Sequence, residues 1–153
     1  MVWVIAALMP ALLTSGYWFG WQILTQAGIA VAAALMTELV CLRLRGVPVN
    51  ALGDGSAVVT ALLITMALPP TTPLGVTVCA AVFAISLGKH AFGGLGQNLF
   101  NPAMVGYAMV LVSFPAALAT WPVPADALSG ATLLEVIKHD HGRTLTELHL
   151  DPV

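Results

Sequence analysis

The chain has 153 residues, 59% of them hydrophobic and 8% charged, with a mean hydropathy of +0.94. Soluble domains carry about 25% charged residues, so this composition leaves too little charge to cover a soluble surface and excludes disorder more firmly still. With 5 Lys+Arg against 7 Asp+Glu there is no basic footprint for nucleic acid.

Residues 1–37 carry no charge, and residues 1–120 carry only Glu38, Arg43, Arg45, Asp54 and Lys89. Seven charges fall in the remaining stretch, from Asp126 to Asp151. The pattern predicts an all-α polytopic membrane protein: a transmembrane region over residues 1–120, then a polar segment over 121–153. Five apolar stretches fall at about residues 2–13, 23–42, 57–68, 74–87 and 102–118. A bilayer crossing needs about 20 residues, with about 17 as a floor. The second and fifth meet this; the third and fourth do so only with their flanking Gly, Ser and Thr. Short or Gly/Pro-interrupted spans are a feature of transporter-like proteins. The first stretch begins without the basic lead-in of a signal peptide, and truncation of a longer chain is the expectation for that start.

Arg43 and Arg45 fall between spans two and three, and Lys89 between spans four and five. If every span crosses, these loops share one side, which the positive-inside rule makes cytoplasmic. Residues 121–153 are then expected on the outer, periplasmic side of a bacterial inner membrane. Trp3, Trp18, Trp21 and Trp121 fall near span ends, as interfacial anchors do. Cys41 and Cys79 lie in apolar runs and read as small hydrophobes rather than a disulfide or metal pair.

Four segments could carry chemistry. In Gly53-Asp54-Gly55-Ser56, Asp54 or Ser56 can cap the helix of span three, with Arg43 or Arg45 as counter-charge. The alternative makes Asp54 part of an ion or cofactor path, since membrane carboxylates are functional candidates. Glu38, near the end of span two, has the same two readings: a group reaching the interface or an ion-path carboxylate. Residues 88–102 hold four glycines, two asparagines and a glutamine between apolar spans. Asn101-Pro102 is a good helix start; the glycine run before it is either re-entrant backbone near a cofactor or a polar loop. Its spacing does not fit a dinucleotide fingerprint. In the polar segment, Thr132 with Glu135 forms a capping box before an apolar stretch. The same helix start also suits phosphate, with Gly130 and Ala131 leaving room for a bulky group at the Thr132 hydroxyl. His139, His141 and His149 lack ligand-like spacing and read as solvated, so no metal is expected.

Together these segments resemble RnfD, a membrane component of the Rnf electron transport complex, and its relative NqrB of the sodium-translocating NADH:quinone reductase. The matching stretches are Asp54-Gly55-Ser56-Ala57 with Leu68-Pro69-Pro70; Gly88-Lys89 with Gly93-Gly94-Leu95-Gly96-Gln97-Asn98 and Phe100-Asn101-Pro102-Ala103; and Asp126 with Ser129-Gly130-Ala131-Thr132. The last resembles the family's flavinylation motif, in which the final threonine takes FMN through a phosphoester bond. The resemblance therefore implies covalent FMN at Thr132, with Asp126, Ser129, Gly130 and Ala131 around it. Leu133 departs from the proline common in the family without removing the acceptor hydroxyl. The early first span and short loops favour the RnfD type over the NqrB type. Family members run to about twice this length, so the chain is expected to be the first half of such a protein.

The implied function is that of a membrane subunit in an ion-translocating ferredoxin:NAD oxidoreductase, not active alone. Electron transfer through FMN would be coupled to cation movement, with Asp54 and Glu38 as ion-coupling candidates and no catalytic residue in this chain. Expected partners are the other subunits of the complex, a flavin transferase and membrane lipid. Two rivals stand beside it: a cofactor-free small-solute channel or transporter, and a structural membrane scaffold. No nucleophile–base pair or phosphate loop of a soluble enzyme appears.

Overall fold

The computed structural model describes residues 1–94 and 96–122, and these are helical, with no strand among them. The elements are α1 (Val2–Phe19), α2 (Gln22–Leu44), a 3-10 turn (Val49–Asp54), α3 (Ser56–Ala67), α4 (Leu74–Phe83) running into a π-helical stretch (Ala84–His90), α5 (Pro102–Ser113) and α6 (Pro115–Ala119). At 1.5 Å per residue α1 is about 27 Å long and α2 about 35 Å, matching a hydrocarbon core of about 30 Å. Both are long and apolar enough to cross a membrane. The other apolar helices are shorter: Ser56–Ala67, Leu74–His90 and Pro102–Ser113. Apolar helices lie at all five expected stretches, but the two of spanning length are the first and second rather than the second and fifth.

Local chemistry sets the boundaries. The first helix runs on past the expected residue 13 to Phe19, because the Thr14 and Ser15 hydroxyls donate to the carbonyls of Pro10 (2.8 Å) and Ala11 (2.9 Å). Polar side chains that bond back into their own helix need no outside partner. α2 ends in a Schellman motif: Gly46 has φ 64°, its N–H donates to Arg43 O, and Val47 N–H donates to Leu42 O. α3 stops where Pro69 forces Leu68 into extended backbone, with ψ 145°. α5 starts as expected: Asn101 Oδ1 accepts from Ala103 N at 3.0 Å and Pro102 takes the first helical position. The fifth span is not continuous to residue 118. Pro115 lacks an N–H and restricts the residue before it, so Phe114 breaks out of the helix at φ −135°, ψ 55° and α6 begins anew.

Successive helices run in alternating directions, and contacts between segments distant in sequence mark two ends. At one end Arg45 meets His90 and Gly93, and Gly55 lies beside Met1 and Ile5. At the other Phe19 packs edge-on to Trp121, the Thr71 hydroxyl donates to Thr120 O, and Gln26 reaches Pro69 and Thr77. Trp18, Trp21 and Trp121 are exposed at this second end and Trp3 at the first, as expected of interfacial anchors.

The interior is built from small residues. Ala30 and Ala34 of α2 meet Ala57 and Ala61 of α3 and Ala81 of α4, all nearly inaccessible. Small residues let helix backbones approach closely, which is how helices associate in lipid without a hydrophobic driving force between them. Two glycines set the closest approaches. A Cβ on Gly106 would collide with Ala80 O, and one on Gly88 would lie 2.7 Å from Pro102 Cα. The outside is apolar: Val2, Trp3, Met36, Met104 and Val112 are all more than half exposed. A soluble monomer rarely shows so much contiguous apolar surface; a bilayer covers it.

Candidate functional site

Asp54 does cap α3. Its Oδ1 accepts from both the backbone N–H and the hydroxyl of Ser56, each at 2.7 Å. Its counter-charge, however, is not Arg43 or Arg45. Asp54 Oδ2 lies 3.7 Å from Lys89 Nζ, which belongs to the π-helical stretch. Partial burial raises the Asp54 carboxyl, but the two bonds from Ser56 and the Lys89 ammonium outweigh it and hold the group below the usual carboxylate value.

Lys89 ties the site together. Its ammonium donates to Glu38 Oε1 and, at 2.5 Å, to Ser56 Oγ. Lys89 is 3% exposed and Glu38 1%. Glu38 therefore does not reach the interface; it faces inward from α2 onto a buried ammonium. Lys89 likewise is not a loop charge, which leaves Arg43 and Arg45 as the basic residues arguing for a cytoplasmic face at that end. An unpaired buried ion costs several kcal/mol, and mutual neutralisation is what lets both groups sit inside. π-Helical stretches concentrate at functional sites; here the stretch carries Lys89 and His90, both buried.

Arg45 and the next backbone turn hold His90. Arg45 Nη1 lies 3.3 Å from His90 Nδ1, and Arg45 Nη2 donates to Gly93 O at 2.9 Å. Because arginine only donates, Nδ1 must accept, which puts the proton of a neutral imidazole on Nε2. His90 Nε2 is buried, 4.0 Å from Glu38 Oε1, and has no hydrogen-bond partner among the described residues; Glu38 Oε2 is in the same condition. Two cavities flank Lys89. One of about 150 Å³ is lined by Glu38, Arg45, Asp54, Lys89 and His90. The other, of about 200 Å³, is lined by Ser56, Thr60, Lys89, Asn98 and Asn101.

The structure thus brings the two expected ion-path carboxylates, Glu38 and Asp54, to one ammonium. Sequence reasoning missed Lys89, Ser56 and His90 as members of the site. The signal lay in Glu38 itself: a carboxylate deep in an apolar span demands a cation, and Lys89 directly follows an apolar run. Of the glycine-rich segment, Ala91, Phe92 and Gly93 are exposed and in turns, which favours the loop reading at that point. Asp126, Ser129, Gly130, Ala131 and Thr132 lie outside the described residues.

Fold and site together define an all-α, membrane-embedded protein of short and broken helices around a buried ion pair. The model of the NQR2, RnfD, RnfE family matches residues 1–152, and the chain belongs to that family. It is similar to proteins named as the D component of an ion-translocating oxidoreductase complex. The Haemophilus influenzae (strain PittEE) protein is 46% identical over 84% of this chain and 36% of its own length. That of Aeromonas hydrophila is 50% identical over 82% of this chain and 36% of its own. That of Pectobacterium atrosepticum is 44% identical over 97% of this chain and 44% of its own. The chain therefore spans well under half the length of these relatives.

Proposed function

We propose that the chain forms part of a D-type membrane subunit of an ion-translocating oxidoreductase complex in a bacterial inner membrane. The observation that carries this is the family match over residues 1–152, with relatives named as that component. In this reading electrons pass between reduced ferredoxin and NAD through the assembled complex, and the protein works only with its partner subunits and surrounding lipid. Glu38 and Asp54 are its ion-coupling groups. Their support is the buried cluster itself, since ionised groups inside a membrane are costly and mark ion pathways.

The same reading gives the protein covalent FMN, esterified through its phosphate to Thr132 by a flavin transferase. FMN supplies the redox chemistry when bound, while the protein's part is to hold and orient it. Its support is the stretch Ser129-Gly130-Ala131-Thr132 with Asp126. The described chain also reaches Pro122 at the Trp121 end, away from Arg43 and Arg45, as a periplasmic segment 121–153 requires. Peptide mass spectrometry of the full-length protein, expressed with an active flavin transferase, tests it. The peptide bearing Thr132 should carry the mass of one FMN, lost in Thr132→Ala. An unmodified peptide beside a modified control protein would overturn the flavin reading and return the chain to a cofactor-free channel or a scaffold.

A further inference from the structure

We infer that Lys89 is a tethered occupant of a monovalent-cation site, so that its ammonium and a free alkali cation exclude one another. The inference rests on the reading of Glu38 and Asp54 as ion-facing carboxylates. Among the described residues the hydrogen-bond and ion-pair partners of Lys89 Nζ are oxygens: the Glu38 carboxylate, Ser56 Oγ and, slightly further, Asp54 Oδ2. Carboxylate and hydroxyl oxygens are the donors hard cations take. Glu38 and Asp54 set two carboxylates around one ammonium, and the Arg45 guanidinium on the same cavity wall is engaged by His90 Nδ1 and Gly93 O.

One further feature points to a ligand. Glu38 Oε2 is buried without a hydrogen-bond partner among the described residues, and Glu38 lines the 150 Å³ cavity. A carboxylate built only to hold Lys89 does not need a buried second oxygen without a partner among the described residues. Lys89 also borders the second cavity, beside Thr60, Asn98 and Asn101, whose oxygens offer the displaced ammonium a polar place to rest. The lysine thus keeps the carboxylates neutralised when no cation is bound, and leaves Glu38 and Ser56 to the cation when one arrives from the Arg45 end.

The test uses the assembled complex with the full-length protein. Lys89→Met should bind about one more sodium-22 ion per complex than wild type, the oxygen cage being intact and its tethered charge gone. The extra ion should vanish in the Lys89→Met/Glu38→Gln double variant. A Lys89→Met complex that assembles but binds no extra ion overturns the inference. If Lys89→Met does not assemble, the wild-type complex answers instead. Modification of Lys89 by a membrane-permeant amine reagent, read by peptide mass spectrometry, should rise severalfold when sodium replaces choline; unchanged modification overturns the inference. Ions pumped per electron in Asp54→Asn test the underlying reading separately. A lowered ratio with no extra ion in Lys89→Met removes the role of Lys89 alone, whereas an unchanged ratio removes the ion-coupling reading itself.

Discussion

The two ends of the bundle bury polar groups by different means. At the Trp121 end Gln26 is 1% exposed; its Nε2 donates to Thr77 Oγ1 at 3.1 Å and approaches Pro69 O at 3.4 Å. That network is neutral, and it joins α2 to α4 and to the Pro-rich turn before it. At the Arg45 end the linked groups are Glu38, Lys89, Asp54 and His90, and the joint is ionic. A neutral amide network suffices to lock helices together, so the ionic one needs a reason beyond packing. Buried ion pairs are weak contributors to stability compared with apolar side chains of equal volume. Retaining one beside two cavities is consistent with a site that handles charge.

That contrast can be broken most severely at Glu38. Glu38→Gln leaves the buried Lys89 ammonium with only the more distant Asp54 carboxylate, and the expected loss of stability is about 3 kcal/mol. Denaturation of the purified full-length protein in detergent would show it, and a loss no larger than that of a surface substitution would contradict the ionic description. At the other end Gln26→Leu removes one interhelical hydrogen bond in an otherwise neutral setting. Such bonds average about 0.6 kcal/mol in membrane proteins, so the same assay should show a several-fold smaller effect.

The smallest effect concerns acid. The folded Asp54 carboxyl lies below its ordinary value of about 3.9, so its contribution is complete above that value and fades as pH falls through the lower, folded one. The stability difference between wild type and Asp54→Asn should therefore hold steady from neutral pH down to about pH 5 and shrink below about pH 4. A difference that grew on acidification would reverse the assigned sign.

Much of the fold was legible in the sequence because the apolar runs and their punctuation are strong. Asn101-Pro102 marked a helix start through backbone chemistry that acts locally. The break at Phe114 was equally local, since Pro115 was in plain view, but the unbroken hydrophobicity around it hid the boundary. The site was half legible. Glu38 and Asp54 stood out as charges in apolar surroundings, whereas their partner did not. Whether Lys89 faces a loop or the interior depends on the π-helical stretch and on the packing of Gly88 against Pro102. Those are tertiary facts that periodicity along one segment does not encode. Glu38 Oε2 and His90 Nε2, without hydrogen-bond partners among the described residues, belong to the same category.

The measurement that bears most directly on the buried cluster is the number of ions moved per electron by the assembled complex in proteoliposomes. Asp54→Asn is the suitable variant, because Asp54 is the most exposed carboxylate of the cluster and its Ser56 contacts can be kept by the amide oxygen. The account predicts electron transfer close to wild type with fewer ions moved per electron. An unchanged ratio, with Asp54→Asn confirmed in the purified complex, would contradict it.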